Sequence, residues 1–263
     1  AKYLSAEIPV LQITWARYFF TVVFTFPLML FFFKKYLVWT DKPKLQLIRG
    51  LILLTANISF FYSISVISLP KALTLAFVAP LVVTAFSPIF LGESVGYRRW
   101  TAVIIGFIGS LVVIRPGFVE INLASLAALG TGIMYGFYLI ITRKLSTADN
   151  PLLTLLLTGV VGAIIISTVM PFVWVKPTLN QWSIMAAIGI FACIGHLFII
   201  LSLKYADASK LAPFSYFEIV TNIIIGYYFF NDFPDNSTFF GLFIIVLSGI
   251  YISRRENLVK KIK

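Results

Sequence analysis

The sequence is short of charge, of cysteine and of histidine. Only 12% of its 263 residues are charged and 60% are hydrophobic, whereas soluble domains have roughly 25% and 45–50%. This balance excludes an ordinary soluble domain and is typical of an integral membrane protein. The single cysteine, Cys193, excludes an intramolecular disulfide. The single histidine, His196, and the scattered acids offer no metal-ligand spacing, so we expect neither a metal nor a cofactor.

Catalytic motifs are also missing from the sequence. It contains no nucleophile–base set and no phosphate-binding loop, which argues against a membrane-embedded enzyme. The net charge of +11 would suit a nucleic-acid partner in a soluble protein. In a chain with no room for a soluble domain, basic residues instead mark cytoplasmic loops and anionic lipid, so we expect no nucleic acid.

Apolar runs separated by charged or turn-rich breaks predict nine membrane spans. These are 11–33, 45–66, 72–91, 97–114, 123–141, 152–174, 182–203, 211–230 and 238–252. With the C-terminal tail in the cytoplasm, alternate loops place most of the 21 basic residues inside, Arg49 among them. This agrees with the positive-inside rule. Trp39, Trp100, Trp174 and Trp182 fall at span ends, as an interfacial belt requires.

The two halves of the chain repeat each other at one fixed offset. The matched pairs are Gly50 with Gly189, Asn57 with His196, Lys71 with Lys210 and Glu93 with Asp232. The second half opens with the span 123–141, for which the first half has no counterpart. We therefore expect an all-α polytopic membrane protein, a ten-helix bundle of two inverted five-helix repeats (1–117 and 118–263), with the first helix largely missing from this chain. Inverted repeats of this kind place a site near the membrane midplane.

An acidic residue, Glu218, stands about halfway along the predicted span 211–230. A charge at the bilayer centre costs on the order of 2.5–3.5 kcal/mol, so such a residue usually faces a bundle interior or a wet cavity. Ser215, Glu218 and Asn222 form one polar stripe, with Tyr216 beside it. Two interpretations stay open. Glu218, Asn222 and Tyr216 contact a substrate or proton pathway, or Glu218 is a hydrogen-bonded packing residue.

A basic residue, Arg17, lies roughly 10 Å inside the first span, too deep for an ordinary loop charge. Either it pairs with an anionic substrate group or with a carboxylate such as Glu218, or its long stem snorkels to the outer surface. Trp15 sits deeper than the tryptophans at the span ends and is a candidate for lining the pathway.

Asn57 and His196 occupy equivalent places in the two repeats, each near the middle of a span. One interpretation is a hydrogen bond across a helix pair. The other is that His196 lies beside a cavity, titrates and couples the protein to protons.

Proline and glycine positions predict where helices bend and meet. Pro80 and Pro88 fall within the span 72–91 and predict a kink there. Gly132 and Gly136 form a G-x-x-x-G pair that permits close approach of another helix.

The end of each half resembles the EamA family of the drug/metabolite transporter superfamily. The first such stretch is LTLAFVAPLVVTAFSPIFLGESVGYRRWTAVIIGFIGSLVVI, which is similar to the fourth and fifth helices of an EamA repeat. The second is ASKLAPFSYFEIVTNIIIGYYFFNDFPDNSTFFG, in which Asp232 stands where glutamate is more usual. The resemblance implies ten helices, cytoplasmic termini and a central cavity. Within the family, APFSYFE and NDFPDNST are most similar to bacterial members that take up S-adenosylmethionine or riboflavin.

These observations together predict a multi-pass secondary transporter of the bacterial inner membrane, with its C-terminus in the cytoplasm. We expect it to move a small polar or zwitterionic metabolite by alternating access, with lipid and the substrate as its partners. Protons and a second copy of the chain are partners that the sequence leaves open. The alternative is a membrane sensor or scaffold subunit that transports nothing.

Overall fold

The computed structural model describes residues 1–32, 40–92, 96–114, 122–146, 148–205, 218 and 221–262. All regular secondary structure in these ranges is helical, so the all-α prediction is confirmed. After a single 3-10 turn (Leu4–Ala6), the helices are α1 (Val10–Phe32), α2 (Pro43–Val66), α3 (Leu69–Ala76), α4 (Ala79–Leu91), α5 (Tyr97–Ile114), α6 (Leu123–Leu145), α7 (Pro151–Ser167), α8 (Met170–Val173), α9 (Leu179–Tyr205), α10 (residues 221–230) and α11 (Asn236–Ile262).

Five segments of the described chain are long and apolar enough to cross a membrane. They are Val10–Phe31, Pro43–Val66, Leu69–Leu91, Leu123–Leu145 and Leu179–Tyr205. Shorter apolar helices lie at three more predicted spans, namely Trp100–Ile114, Pro151–Ser167 and Asn236–Tyr251. The remaining predicted span, 211–230, is helical over residues 221–230, and most of its first half lies outside the described residues.

Two predicted spans are each divided in the structure. The predicted span 72–91 breaks after Ala76, and 152–174 breaks after Ser167. In both cases the helix ends four residues before a proline, Pro80 or Pro171, which then lies in the first turn of the next helix. Proline has no N–H to bind the carbonyl four residues earlier, and its ring clashes with that carbonyl. The first turn of a helix tolerates proline because its N–H groups have no intrahelical partner.

The first of two compact units comprises Ala1–Phe61 and Ile141–Tyr205. Within it α1 packs against both α7 and α9. Tyr18 packs against Gly162 of α7, and Phe20 packs against Gly189 of α9; a Cβ at either glycine would overlap that neighbour. Contacts along the helices show that α1 runs antiparallel to α7 and parallel to α9. Small residues therefore bring α1 close to both neighbours.

The second unit comprises Tyr62–Ile140 and Ala206–Lys263. Here α5 packs against α11 and α4. The glycine pair on α6 faces the break between α3 and α4, where a Cβ at Gly132 would lie 2.6 Å from the carbonyl oxygen of Ala76. A Cβ at Gly136 would lie 2.8 Å from Cβ of Val82, so the close helix approach predicted from this pair is confirmed. Asp232 accepts the backbone N–H of Leu69 at 3.2 Å, at the start of α3.

Both compact units combine segments from before and after residue 118. The predicted repeat boundaries, 1–117 and 118–263, follow the sequence rather than these units, and they stay a prediction.

Candidate functional site

Arg17 and His196 meet inside the first unit. Nη2 of Arg17 on α1 lies 2.6 Å from Nε2 of His196 on α9. A guanidinium has only donor groups, so Nε2 must accept the hydrogen bond, and a neutral ring then carries its proton on Nδ1. Arg17 is only 6% exposed, and its guanidinium carbon lies 4.9 Å from the centroid of the Tyr18 ring. The structure therefore gives Arg17 a buried guanidinium, and snorkelling to the surface does not describe it.

Asn57 on α2 binds Tyr18, the residue that follows Arg17 on α1. Its Nδ2 donates to the hydroxyl oxygen of Tyr18 at 2.9 Å and to the backbone carbonyl of Leu53 at 2.6 Å. Tyr18 is 1% exposed, and it packs with Leu54 and Ile166 in one apolar cluster. Asn57 and His196, which the predicted repeat makes equivalent, thus contact adjacent positions of α1. Each makes a hydrogen bond across a helix pair, which is the first of the two interpretations given for these residues.

Trp15 belongs to an aromatic cluster at the start of α1. Its ring stacks on Phe19 at 4.6 Å and lies edge-on to Trp174 at 5.4 Å and to Trp182 at 6.4 Å. The indole N–H donates to Oγ of Ser167 at 2.9 Å. Trp174 and Trp182 were predicted as interfacial residues, and the structure adds that both contact Trp15. Phe19 and Trp174 remain exposed by 38% and 42%.

Arg49 lies in a helix and not in a loop, contrary to our prediction. We assigned it to the basic cytoplasmic loops, yet it lies inside α2 and is fully buried. Its Nε donates to Oγ1 of Thr142 at 2.8 Å, and its Nη1 donates to the backbone carbonyl of Thr154 at 3.3 Å and to Oγ1 of Thr158. The signal was present, because Arg49 falls within the predicted span 45–66, where a loop charge does not belong.

A second polar group lies on α10, in the other unit. Asn222 donates from Nδ2 to the backbone carbonyl of Glu218, one turn earlier, at 2.7 Å. Glu218 is exposed and Asn222 is half-buried. Ser215 and Tyr216 lie outside the described residues, so that part of the predicted stripe stays a prediction.

The described residues contain no group of three or more His, Cys, Asp or Glu side chains that could hold a metal ion. The polar side chains that meet at α1 and α2 in the first unit are instead donors or neutral acceptors: Arg17, Arg49, Asn57 and His196. Such a set suits a small organic anion rather than a cation.

Comparison with known proteins identifies the family to which this chain belongs. The model of the EamA-like transporter family matches residues 1–115 and 122–254. A solved crystal structure matches with a TM-score of 0.68 at 17% identity, over 95% of this chain and 90% of that one; at this identity the likeness shows the fold alone.

Curated relatives include transporters of different compounds. The chain is 26% identical over 264 residues to the S-adenosylmethionine uptake transporter of Rickettsia bellii, which covers 100% of this chain and 90% of that protein. It is 28% identical to the riboflavin transporter of Vibrio cholerae, over 71% of this chain and 63% of that protein. It is 26% identical to the pseudopaline exporter CntI of Pseudomonas aeruginosa, over 80% of this chain and 75% of that protein.

Proposed function

Because the chain belongs to the EamA-like transporter family, we propose that it is a secondary transporter that moves a small zwitterionic metabolite across a bacterial inner membrane by alternating access. The apolar helices supply the membrane spans. The relatives named as an S-adenosylmethionine uptake transporter, a riboflavin transporter and a pseudopaline exporter are all bacterial proteins named for small metabolites. The inverted repeat that the sequence predicts is the architecture on which alternating access commonly rests.

The observation that carries this proposal is the environment of Arg17. Its guanidinium is buried, and in the described part of the chain its contacts are the His196 ring and the Tyr18 ring, with no carboxylate among them. Burying an unpaired ion has an effective cost of several kcal/mol, and a neutral imidazole does not cancel the charge. A substrate carboxylate would pair with the guanidinium and offset that cost through charge-assisted hydrogen bonds.

The aromatic cluster of Trp15, Phe19, Trp174 and Trp182 narrows the substrate class. Indole faces attract cations and stack on planar heterocycles. S-adenosylmethionine joins a carboxylate to a sulfonium cation and a purine, whereas riboflavin has the planar ring without a carboxylate. Arg17 and Trp15 both lie on α1 and both contact α9, through His196 and Trp182 respectively. We therefore rank S-adenosylmethionine first, other amino acids second and riboflavin third.

Glu218, Asn222 and Tyr216 form a second, separate part of the proposal, in which they contact the transport pathway. The support is the exposed Glu218 side chain and the bond from Asn222 to the Glu218 carbonyl. An intramembrane carboxylate is a default candidate for handling protons. The cytoplasmic C-terminus belongs to the same proposal and rests on the distribution of basic residues.

Counterflow in proteoliposomes that contain the full-length protein tests the substrate class. Labelled S-adenosylmethionine is exchanged against an internal pool and is competed by unlabelled S-adenosylmethionine, decarboxylated S-adenosylmethionine, methionine or riboflavin. We expect saturable exchange in which the carboxylated compound competes at least about tenfold better than the decarboxylated one, which corresponds to about 1.4 kcal/mol for a charge-assisted hydrogen bond.

Substitution of Arg17 decides whether that preference comes from the guanidinium. Arg17→Gln should abolish the discrimination between the two compounds. Arg254→Gln removes an arginine from an exposed position on α11 and should leave the discrimination intact. Equal competition by both compounds in the wild-type protein would contradict the carboxylate assignment. A lack of exchange for every compound, from protein shown to be folded, would contradict the substrate class.

Glu218→Gln tests the proton assignment in the same vesicles. If Glu218 carries the proton, the variant should retain exchange at equal pH but lose accumulation driven by a pH gradient. If Glu218→Gln still accumulates substrate fully under a pH gradient, Glu218 does not carry the proton and has a packing role.

A further inference from the structure

Helices α4 and α5 enclose a groove that the transport proposal does not use. Its volume is about 490 Å³ and its lining is apolar throughout, with Phe86 and Ile89 on α4 and Trp100, Ile104 and Leu111 on α5. These side chains are largely uncovered: Ile89 is 73% exposed and Ile104 is 58% exposed. Because the chain belongs to a membrane transporter family, such a surface is suited to hydrocarbon.

The length of the groove matches one leaflet of a bilayer. Its lining on α5 runs from Trp100 to Leu111, a distance of about 16 Å at about 1.5 Å per residue. The hydrocarbon core of a bilayer is about 30 Å thick, so one leaflet accounts for about 15 Å. A single acyl chain fits this length.

One end of the groove carries a positive charge. Tyr97 lies one turn before Trp100 on the same helix and is 73% exposed. Nε of Arg98 donates to the Tyr97 hydroxyl at 2.9 Å, and the guanidinium carbon lies 5.5 Å from the centroid of that ring. Tyr97 therefore holds the guanidinium on the side of α5 from which the groove begins. Tryptophan and tyrosine are also the residues that favour the level of the lipid headgroups.

We propose that this groove binds one acyl chain of an anionic phospholipid whose phosphate is held by Arg98. A guanidinium binds phosphate through paired, charge-assisted hydrogen bonds, and Arg98 is exposed at the end of the groove where a headgroup would lie. The predicted topology puts this end of α5 on the cytoplasmic side, whose anionic leaflet attracts basic residues. This lipid site is independent of the transported substrate.

Native mass spectrometry of the full chain in neutral detergent tests the headgroup. Dioleoyl phosphatidylglycerol and dioleoyl phosphatidylcholine share their acyl chains and differ in net charge. We expect one phosphatidylglycerol to be retained with about fivefold higher affinity than phosphatidylcholine, the factor that corresponds to about 1 kcal/mol per basic residue near an anionic surface. Arg98→Gln should remove this preference, and Tyr97→Phe should reduce it.

Lys144→Gln is the matched control, because Lys144 is an exposed cation near the end of α6 and should leave the preference unchanged. Arg254 is a poorer control here because Tyr251, one turn before it on α11, lies close enough to interact with Arg98. Equal retention of the two lipids by the wild-type chain would overturn the assignment to Arg98.

Photocrosslinking tests the groove itself, first in the wild-type protein and then in one variant that fills it. Phosphatidylglycerol with a photoreactive group on its acyl chain should label peptides of α4 and α5 in the wild-type protein. Ala85→Phe fills the groove and should lower that labelling severalfold. Labelling spread evenly over the other apolar helices would overturn the proposal. A dimer that Ala85→Phe dissociates would also overturn it, since the groove would then be occupied by a second copy of the chain.

Discussion

Nη2 of Arg17 lies 2.6 Å from Nε2 of His196, so the charge on the histidine ring decides whether the two side chains attract or repel each other. Arginine stays protonated throughout the accessible pH range. A neutral ring accepts the hydrogen bond, whereas a protonated ring places a second cation against the first. The contact is therefore specific for one protonation state and one tautomer of His196.

The first prediction is the tautomer of that ring. His196 is the only histidine in the sequence, so ¹⁵N labelling of histidine gives a single pair of ring signals. At neutral pH we expect the proton on Nδ1 and the hydrogen-bonded lone pair on Nε2. Arg17→Gln should change the Nε2 chemical shift, and Arg254→Gln should not. A proton found on Nε2 would contradict the geometry of the pair.

The second prediction concerns the bond between Asn57 and Tyr18. Asn57→Ala and Tyr18→Phe both remove it, so their effects on the unfolding free energy should be non-additive, with a coupling of about 0.5–1.5 kcal/mol. Equilibrium unfolding in mixed micelles measures the coupling. Tyr3→Phe supplies the control, because Tyr3 is 64% exposed and should combine additively with Asn57→Ala. Additive effects for Asn57 and Tyr18 would mean that the bond contributes nothing.

The third prediction is a large stability loss at Arg49. Arg49→Leu leaves the buried Thr142 hydroxyl and Thr154 carbonyl without their arginine donor. We expect the unfolding free energy to fall by about 2–3 kcal/mol, because a hydrogen bond to a charged group contributes about 1.5–3 kcal/mol. The midpoint of thermal unfolding should fall by several degrees. Lys44→Leu removes an exposed cation from the same helix and should change stability by less than about 0.5 kcal/mol.

The fourth prediction compares two glycines of α6. Gly132→Ala places a methyl group 2.6 Å from the carbonyl oxygen of Ala76, a contact that requires the helices to separate. We expect it to destabilise the protein by about 1–3 kcal/mol. Gly130→Ala meets nothing within 4 Å and should be neutral, or stabilising by up to about 1 kcal/mol through helix propensity. The measurement is the midpoint of thermal unfolding of the two variants. Equal midpoints would contradict the prediction that only Gly132 is tightly packed.

The helical fold could be predicted from the sequence because apolar runs and proline chemistry act locally. The run 97–114 predicts α5 to the residue. Pro80 predicted a bend in the span 72–91, and the helix breaks after Ala76, four residues before it. The break after Ser167 was missed, although Pro171 follows it, because hydropathy does not change across a break in a helix. Local rules therefore give the helices. A proline alone does not decide where a helix breaks, because Pro27 and Pro88 lie inside the unbroken helices α1 and α4.

The candidate site was predictable only as a set of residues. Arg17, Asn57 and His196 stood out because polar groups within spans need partners. Their actual partners depend on how α1 packs between α7 and α9. The spacing of residues along the chain does not determine that packing. Arg49 was missed because counting it as a loop charge satisfied the positive-inside rule. Its burial depends on threonines of α6 and α7 that lie far away in the sequence.

The aromatic cluster around Trp15 also has an optical consequence. Trp15, Trp174 and Trp182 are three of the five tryptophans in the chain, with 5.4–6.4 Å between their ring centroids. Because three of the five tryptophans lie here, most of the indole absorbance of the unmodified protein comes from this end of α1. Binding of a compound that rearranges these rings should therefore change the intrinsic tryptophan fluorescence, so binding can be measured without a label.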